Sequence, residues 1–276
     1  MNSVLNIIKI ILLAFIAVTL TVILIILLNG KIKINGIDLV EKTELVYENT
    51  FTEEINNLNI VTTNNDVKIE EKDIENIEVK IYDRKDAKPT AEVKDNTLYI
   101  DNKDEVRIGF SFGILGNSRI EITVPKGTTY NLDIEGVSSD VDSLIDLKDV
   151  NINTNSGDIN LKDANKTTIK TISGDIKTNK TDSLYIKTTS GDMILGDING
   201  KLTLNTTSGD IKINKLELTK DSSIKVTSGD IIIGKTNEIY VDAHTVSGDT
   251  RINTNNRKAD VELKINTISG DVIVNN

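Results

Sequence analysis

The chain has no cysteine and no tryptophan, a single histidine, two prolines, and only four phenylalanines and six tyrosines in 276 residues. Without cysteine, disulfides and thiolate metal sites are excluded. The lone imidazole, His244, leaves little room for histidine-based metal or triad chemistry. Positive charge is also in deficit. The formal net charge is −10, and a nucleic-acid partner needs a basic surface, so none is expected. What remains is rich in Asn, Thr, Ser, Gly and β-branched residues, a composition that favours strands.

Charge is absent altogether from residues 10–28, where Thr19 and Thr21 are the only polar residues. As a helix this stretch rises about 28 Å, close to a hydrocarbon core of ~30 Å. It is too long for a secretory leader, and no Ala-x-Ala-like cleavage site stands near Leu28-Asn29-Gly30. Residues 1–30 are therefore expected to be an uncleaved, single-pass transmembrane signal anchor. Lys9 flanks one end and Lys31 and Lys33 the other, so the positive-inside rule is near a tie. Long domains translocate largely regardless of flanking charge, and the rest of the chain is expected outside the cell.

The dominant pattern is a tripeptide, Ser-Gly-Asp, present seven times with its glycines at 157, 174, 191, 209, 229, 248 and 270. A recurrence of this period marks a stacked repeat architecture. Around the fourth copy apolar and polar residues alternate, with Leu202, Leu204, Thr206 and Ser208 on one face. The phase slips at Gly209-Asp210, and Ile211 and Ile213 carry the next buried face. Period-2 alternation is the mark of a half-buried strand. Glycine admits the positive φ of a corner, and aspartate can bond the backbone just after it. Each unit thus reads as strand, corner, strand, with Gly157, Gly174, Gly191, Gly209, Gly229, Gly248 and Gly270 as structural corners. No unit can bury its own face, but stacked units can. The fold expected is all-β: a flattened β-solenoid, a β-helix or β-roll, with internal columns of threonine (Thr154, Thr171, Thr188, Thr206) and serine (Ser156, Ser173, Ser190, Ser208).

Two degenerate copies precede these. One has Ser139-Asp140 at its corner, the other Asn65-Asp66. Residues 31–57 read as a polar connector and 58–131 as a first rung plus an antiparallel insertion that caps the start. Residues 132–276 read as the repeats. The apolar, glycine-rich stretch 110–116 reads as an exposed binding loop or as a plug over the first rung, and the plug is favoured because solenoids need caps. The last copy ends two residues after Val274 without a covering segment, so Val272, Ile273 and Val274 are expected to form an open edge for a partner strand.

Several elements together resemble a bacterial family called putative adhesins, a β-strand-repeat domain of unknown function in Gram-positive envelope proteins. The resemblance rests on Phe51 with the strand at Asn57-Leu58-Asn59-Ile60 and on Asn65-Asp66-Val67-Lys68-Ile69. It rests further on Ile122-Thr123-Val124-Pro125 and the Thr-x-Ser-Gly-Asp-Ile repeats. It implies a cell-surface location, sometimes beside envelope-stress signalling genes, and no proven activity. The first two corners depart from the pattern.

The candidate chemistry is sparse. A column of Asp158, Asp175, Asp192, Asp210, Asp230, Asp249 and Asp271 would offer calcium several oxygens. Each rung supplies one Asp and no second fixed acid, however, so the favoured reading is that each Asp caps its own turn, with no metal and no cofactor. A serine nucleophile needs a positioned base, and His244 lies on an outward face. The expectation is a non-enzymatic, membrane-anchored surface module that binds an envelope protein or a wall polymer. One alternative is a self-associating structural protein, a weak homodimer through its open rung. The other is a polysaccharide-active β-helix enzyme.

Overall fold

Alternation of apolar and polar residues has built a stack of strands that bends at every Ser-Gly-Asp. The computed structural model describes residues 43–103, 118–253 and 255–275. It also describes the backbone of four short strands, Lys33–Ile34, Ile37–Asp38, Val40–Glu41 and Ile114–Leu115. The expected membrane span at 10–28 lies outside these residues. So does the stretch 110–116, apart from Ile114–Leu115. Among the described residues no helix is long and apolar enough to cross a membrane.

The chain divides into two units. In the smaller, Lys33–Ile34 pairs antiparallel with Ile37–Asp38, and Val40–Glu41 pairs parallel with Ile114–Leu115. The larger holds the repeats. Leu202, Leu204, Ile211 and Ile213 are each at most 1% exposed, so the expected faces point inward on both sides of the slip. Successive copies stack in parallel register: Leu184 on Leu202, Ile186 on Leu204, Ile176 on Met193, Met193 on Ile211. A third row, Ala164, Thr181, Ile198 and Leu216, stacks further along the rung and adds to the same core. The two degenerate copies join in register, Leu58 on Leu132 and Val67 on Val141. The all-β, solenoid-like sheet is thus present.

The corners are tight. All seven repeat glycines have φ between +119° and +142°, where side chains are disfavoured. A methyl group on Gly209 would lie 2.1 Å from the carbonyl oxygen of Gly191 one rung away. The buried threonines lean on these corners: Thr154 Oγ1 donates to the Ser156 carbonyl at 2.9 Å and Thr206 Oγ1 to the Ser208 carbonyl at 3.1 Å. Each of these two threonine hydroxyls therefore has a partner, as burial favours, whereas Ser139 Oγ, Ser143 Oγ and Thr178 Oγ1 are buried without one. Val226 replaces threonine in one copy at 5% exposure.

Four features differ from the reading of the sequence. First, the serines do not form an internal column. Ser156, Ser173 and Ser190 are half-buried and Ser208 is exposed, because the chain has already begun to turn outward at the corner. Second, the segment 58–131 is not wholly antiparallel. Thr97–Asn102 and Arg119–Pro125 stack parallel on Asn57–Thr62 and Asp66–Lys72 and make one further rung. Among the described residues of the larger unit, the antiparallel pairings are those made by Thr90–Lys94, Ile77–Asp83 and Glu44–Phe51, which close that end. Third, the supposed connector at 31–57 contributes Glu44–Phe51 to the sheet, with Phe51 and Ile55 buried.

Fourth, the last copies are not stacked in chain order. Glu262–Ser269 pairs with Ser222–Ser228 on one side and Tyr240–Ser247 on the other. Val272–Val274 likewise lies between Ile231–Thr236 and Thr250–Ile252. The C-terminal copy fills the place beside the fifth, and the sixth is pushed to the end. Burial explains the exchange. Leu263, Ile265, Val272 and Val274 are fully buried, each worth ~1.5–3 kcal/mol against exposure. The sixth copy offers Val241, Ala243, Thr250 and Ile252 at the equivalent places, and the small Ala243 and polar Thr250 lose less by facing solvent than Ile265 and Val272 would. The expected open edge at Val272, Ile273 and Val274 is therefore an interior strand.

Leu204→Asp should cost more than about 4 kcal/mol, by placing an unpaired charge in the core. Thr203→Asp, one residue along on the outward face, should cost within ~0.5 kcal/mol. Equal losses of melting temperature in the two variants would refute this register.

Candidate functional site

Three places were candidates for chemistry: the aspartate column, the open end, and the outward face of the stack. The column is continuous. Asp158 Oδ1 accepts from the backbone N–H of Asp175 at 2.8 Å, Asp175 from Asp192 at 2.8 Å and Asp192 from Asp210 at 2.9 Å. It follows the permuted order, since Asp230 accepts from Asp271 and Asp271 from Asp249, both at 2.8 Å. Each carboxylate short of the terminal Asp249 holds the next rung and not its own turn, which corrects the capping expected of it. Charge-assisted bonds of this kind are stronger than neutral ones. Among the described residues no group of three or more His, Cys, Asp or Glu is placed to hold a metal ion.

The column begins at Asp66, whose Oδ1 accepts from the Asp140 N–H at 3.2 Å. Partial withdrawal of its carboxyl from water raises its pKa above the ordinary value. The Asp140 N–H opposes that shift, and the Asp140 charge adds to it. The folded state thus binds the Asp66 proton more tightly than the unfolded chain, and this cost to folding disappears on protonation.

At the first rungs a buried polar knot replaces Ser-Gly-Asp. Asn65 and Asn102 donate to Asp83 Oδ2 at 2.9 and 2.6 Å, Ser118 Oγ donates to Asp83 Oδ1 at 3.3 Å, and Thr62 Oγ1 donates to Asn65 Oδ1 at 2.8 Å. All five residues are at most 7% exposed. These groups satisfy one another, so the knot is a corner of a different kind.

At the other end the free edges are those of Tyr240–Ser247 and Thr250–Ile252, which pair on one side only among the described residues. Part of this edge is closed. Asn255 mimics a strand, accepting from the Val241 N–H at 3.0 Å and donating to the Val241 carbonyl at 2.9 Å. Beyond it Val246 is 82% exposed. His244 lies on the outward surface of this edge, with its Nε2 3.0 Å from Asp242 Oδ1. It serves no corner serine as a base.

The remaining place was missed in the sequence. On the outward face near the start, register aligns two polar columns. One runs Tyr99, Asn59, Asp133, Asn151, Thr168. The other runs Thr97, Asn57, Asn131, Asp149, Lys166. They line an open groove of about 490 Å³. Within it Asn131 Nδ2 donates to Asn57 Oδ1 at 2.8 Å, Asn57 Nδ2 to Thr97 Oγ1 at 3.3 Å, and Asn151 Nδ2 to Asp133 Oδ1 at 2.9 Å. The alternation did signal which residues face outward. The groove needs cross-rung register, and its tyrosine comes from the segment read as a cap.

Comparison with known proteins places this geometry. Residues 55–275 match the family model described as Toastrack DUF4097. No curated protein matches. A putative adhesin from Bacteroides fragilis shares the fold at 17% identity and a TM-score of 0.51, covering 83% of this chain and 97% of that one. A putative lipid binding protein from Parabacteroides distasonis is similar at 15% identity and a TM-score of 0.39, covering 82% and 96%. A putative adhesin from the same organism is similar at 14% identity and a TM-score of 0.39, covering 83% and 96%.

If the aspartates serve only to join rungs, chelator should leave the melting temperature unchanged, whereas a ligand at 100 times its Kd would add ~2.7 kcal/mol. Asp210→Asn keeps an acceptor and should be nearly neutral. Asp210→Ala should lose about 1 kcal/mol, one hydrogen bond. A melting temperature that rises with calcium would return the column to the status of a metal site.

Proposed function

This chain belongs to the Toastrack DUF4097 family, and we propose that it is a non-enzymatic binding module displayed outside the cell and held in the membrane by residues 10–28. One observation carries the reading: a preformed polar groove on a surface whose strands are fixed on both sides by neighbours. Rigid presentation lowers the ordering cost of binding. Cleavage chemistry has no comparable support. The single imidazole sits at the far rung beside Asp242, and Asp133 in the groove holds the Asn151 amide. The name of the similarly folded Bacteroides fragilis protein, a putative adhesin, agrees with surface display.

A second reading, self-association, is favoured by the edges of Tyr240–Ser247 and Thr250–Ile252, which have no second strand partner among the described residues, and by the exposure of Val246. Exposed strand edges attract other strands. Val246→Lys should then abolish concentration-dependent association of the full chain in detergent, measured by sedimentation. Equal sedimentation of wild type and variant at all concentrations would remove this reading.

The primary reading is tested on cells. Full-length protein should stay with membranes through carbonate and high-salt washes. Protease added to intact cells that lack an outer membrane should degrade everything after the span. Digestion only after lysis would place the domain inside and overturn surface display.

A further inference from the structure

We infer that the groove is a binding site for an uncharged polysaccharide strand lying along the stack, across the rungs. The inference deepens the surface-module reading and rests on it for biological context.

The first argument is hydrogen-bonding capacity. Groove amides and hydroxyls use part of their capacity on one another, as in Asn131 to Asn57 and Asn151 to Asp133. Each amide nitrogen has two protons and each amide or carboxylate oxygen accepts more than once. Asn57 spends both protons, on Thr97 and on the Asn96 carbonyl, but donors remain on Asn131 and Asn151 and acceptors on Asp133 and Asp149. A polyhydroxylated chain, which carries donors and acceptors at every ring, matches that mixture better than a peptide strand, which would need a free sheet edge.

The second is the aromatic surface. Tyr99 is 40% exposed at one end of its column, and Tyr185 continues the same column beyond Thr168. A lone exposed tyrosine means little. Two in one column, at five rung steps, lie about 24 Å apart at ~4.8 Å per rung. They frame a track for several sugar rings, whose C–H faces pack on aromatic faces while their hydroxyls meet the amides between.

The third is charge. The groove sets Asp133 and Asp149 against Lys166, in a chain of net charge −10. A phosphate-linked polymer would meet more acid than base and be repelled, so the polymer chosen is neutral.

The test uses full-length protein in detergent micelles, titrated with the hexamer of N-acetylglucosamine. Saturable binding is expected, weakened at least tenfold by Tyr99→Ala and by Asn151→Ala. Lys212→Ala, on the strand after the corner of a later rung, should leave affinity unchanged, and all three variants should melt with wild type. Poly(glycerol phosphate) should not compete. Absence of hexamer binding overturns the inference, as does equal affinity in both groove variants or tighter binding of the polyanion to the same residues. The two readings fail separately. Tyr99→Ala retained on isolated walls as firmly as wild type would sink the groove alone. Protection from protease on intact cells would sink surface display, and the micelle titration would still decide the groove.

Discussion

Every Ser-Gly-Asp rung depends on one close approach, in which a glycine at positive φ sits where any side chain would strike the carbonyl of the neighbouring rung. At Gly174, Gly191 and Gly209 an added methyl would lie 2.1 Å from that oxygen. The approach is what lets the next aspartate reach back. Its carboxylate accepts the N–H one rung on, and its own N–H is held by the carboxylate one rung before. Glycine and aspartate thus form one device, the first permitting contact and the second using it. The threonine two residues before the serine completes the device from inside by satisfying the serine carbonyl. Nothing in this requires a ligand: the bonds from rung to rung account by themselves for so regular a column of acids.

Local geometry was legible because it is encoded locally. The inward residues, the slip at the corner and the positive φ of the glycines all follow from alternation and from what glycine alone can do. The placement of Asp210 was legible and its bond was not, since the partner N–H belongs to Asp230 in another copy. Properties that depend on which copy meets which lay outside the pattern. The serines were read as inward by extending the alternation one step too far, past Thr206 to a residue already turning.

The order of the last rungs shows how this ambiguity is resolved physically. All copies share one register, so backbone pairing alone does not distinguish the sixth from the seventh. Side chains do. A terminal rung is covered on one side only, and the copy with Ala243 and Thr250 tolerates that position better than one with Ile265 and Val272 in the same places. The signal was present in the poor apolar content of residues 241–252. It carries weight only if copies are free to exchange places, and the 22-residue spacing before Gly270 provides the chain to do so.

The same logic says where a binding surface can stand. In a stack, stability is a sum of rung and interface terms, so an end rung with one neighbour opens more readily than one with two. The groove spans rungs with neighbours on both sides, near the end stapled by Thr90–Lys94 and Glu44–Phe51. The terminal rung at Tyr240–Ser247 has one strand neighbour and an asparagine mimic over part of its edge. Recognition that relies on fixed spacing between amides belongs on the first of these surfaces. The inward columns impose the register that aligns the outward ones, yet place no demand on outward identity. Asn59, Asp133 and Asn151 can therefore serve a ligand at no cost to the core that positions them.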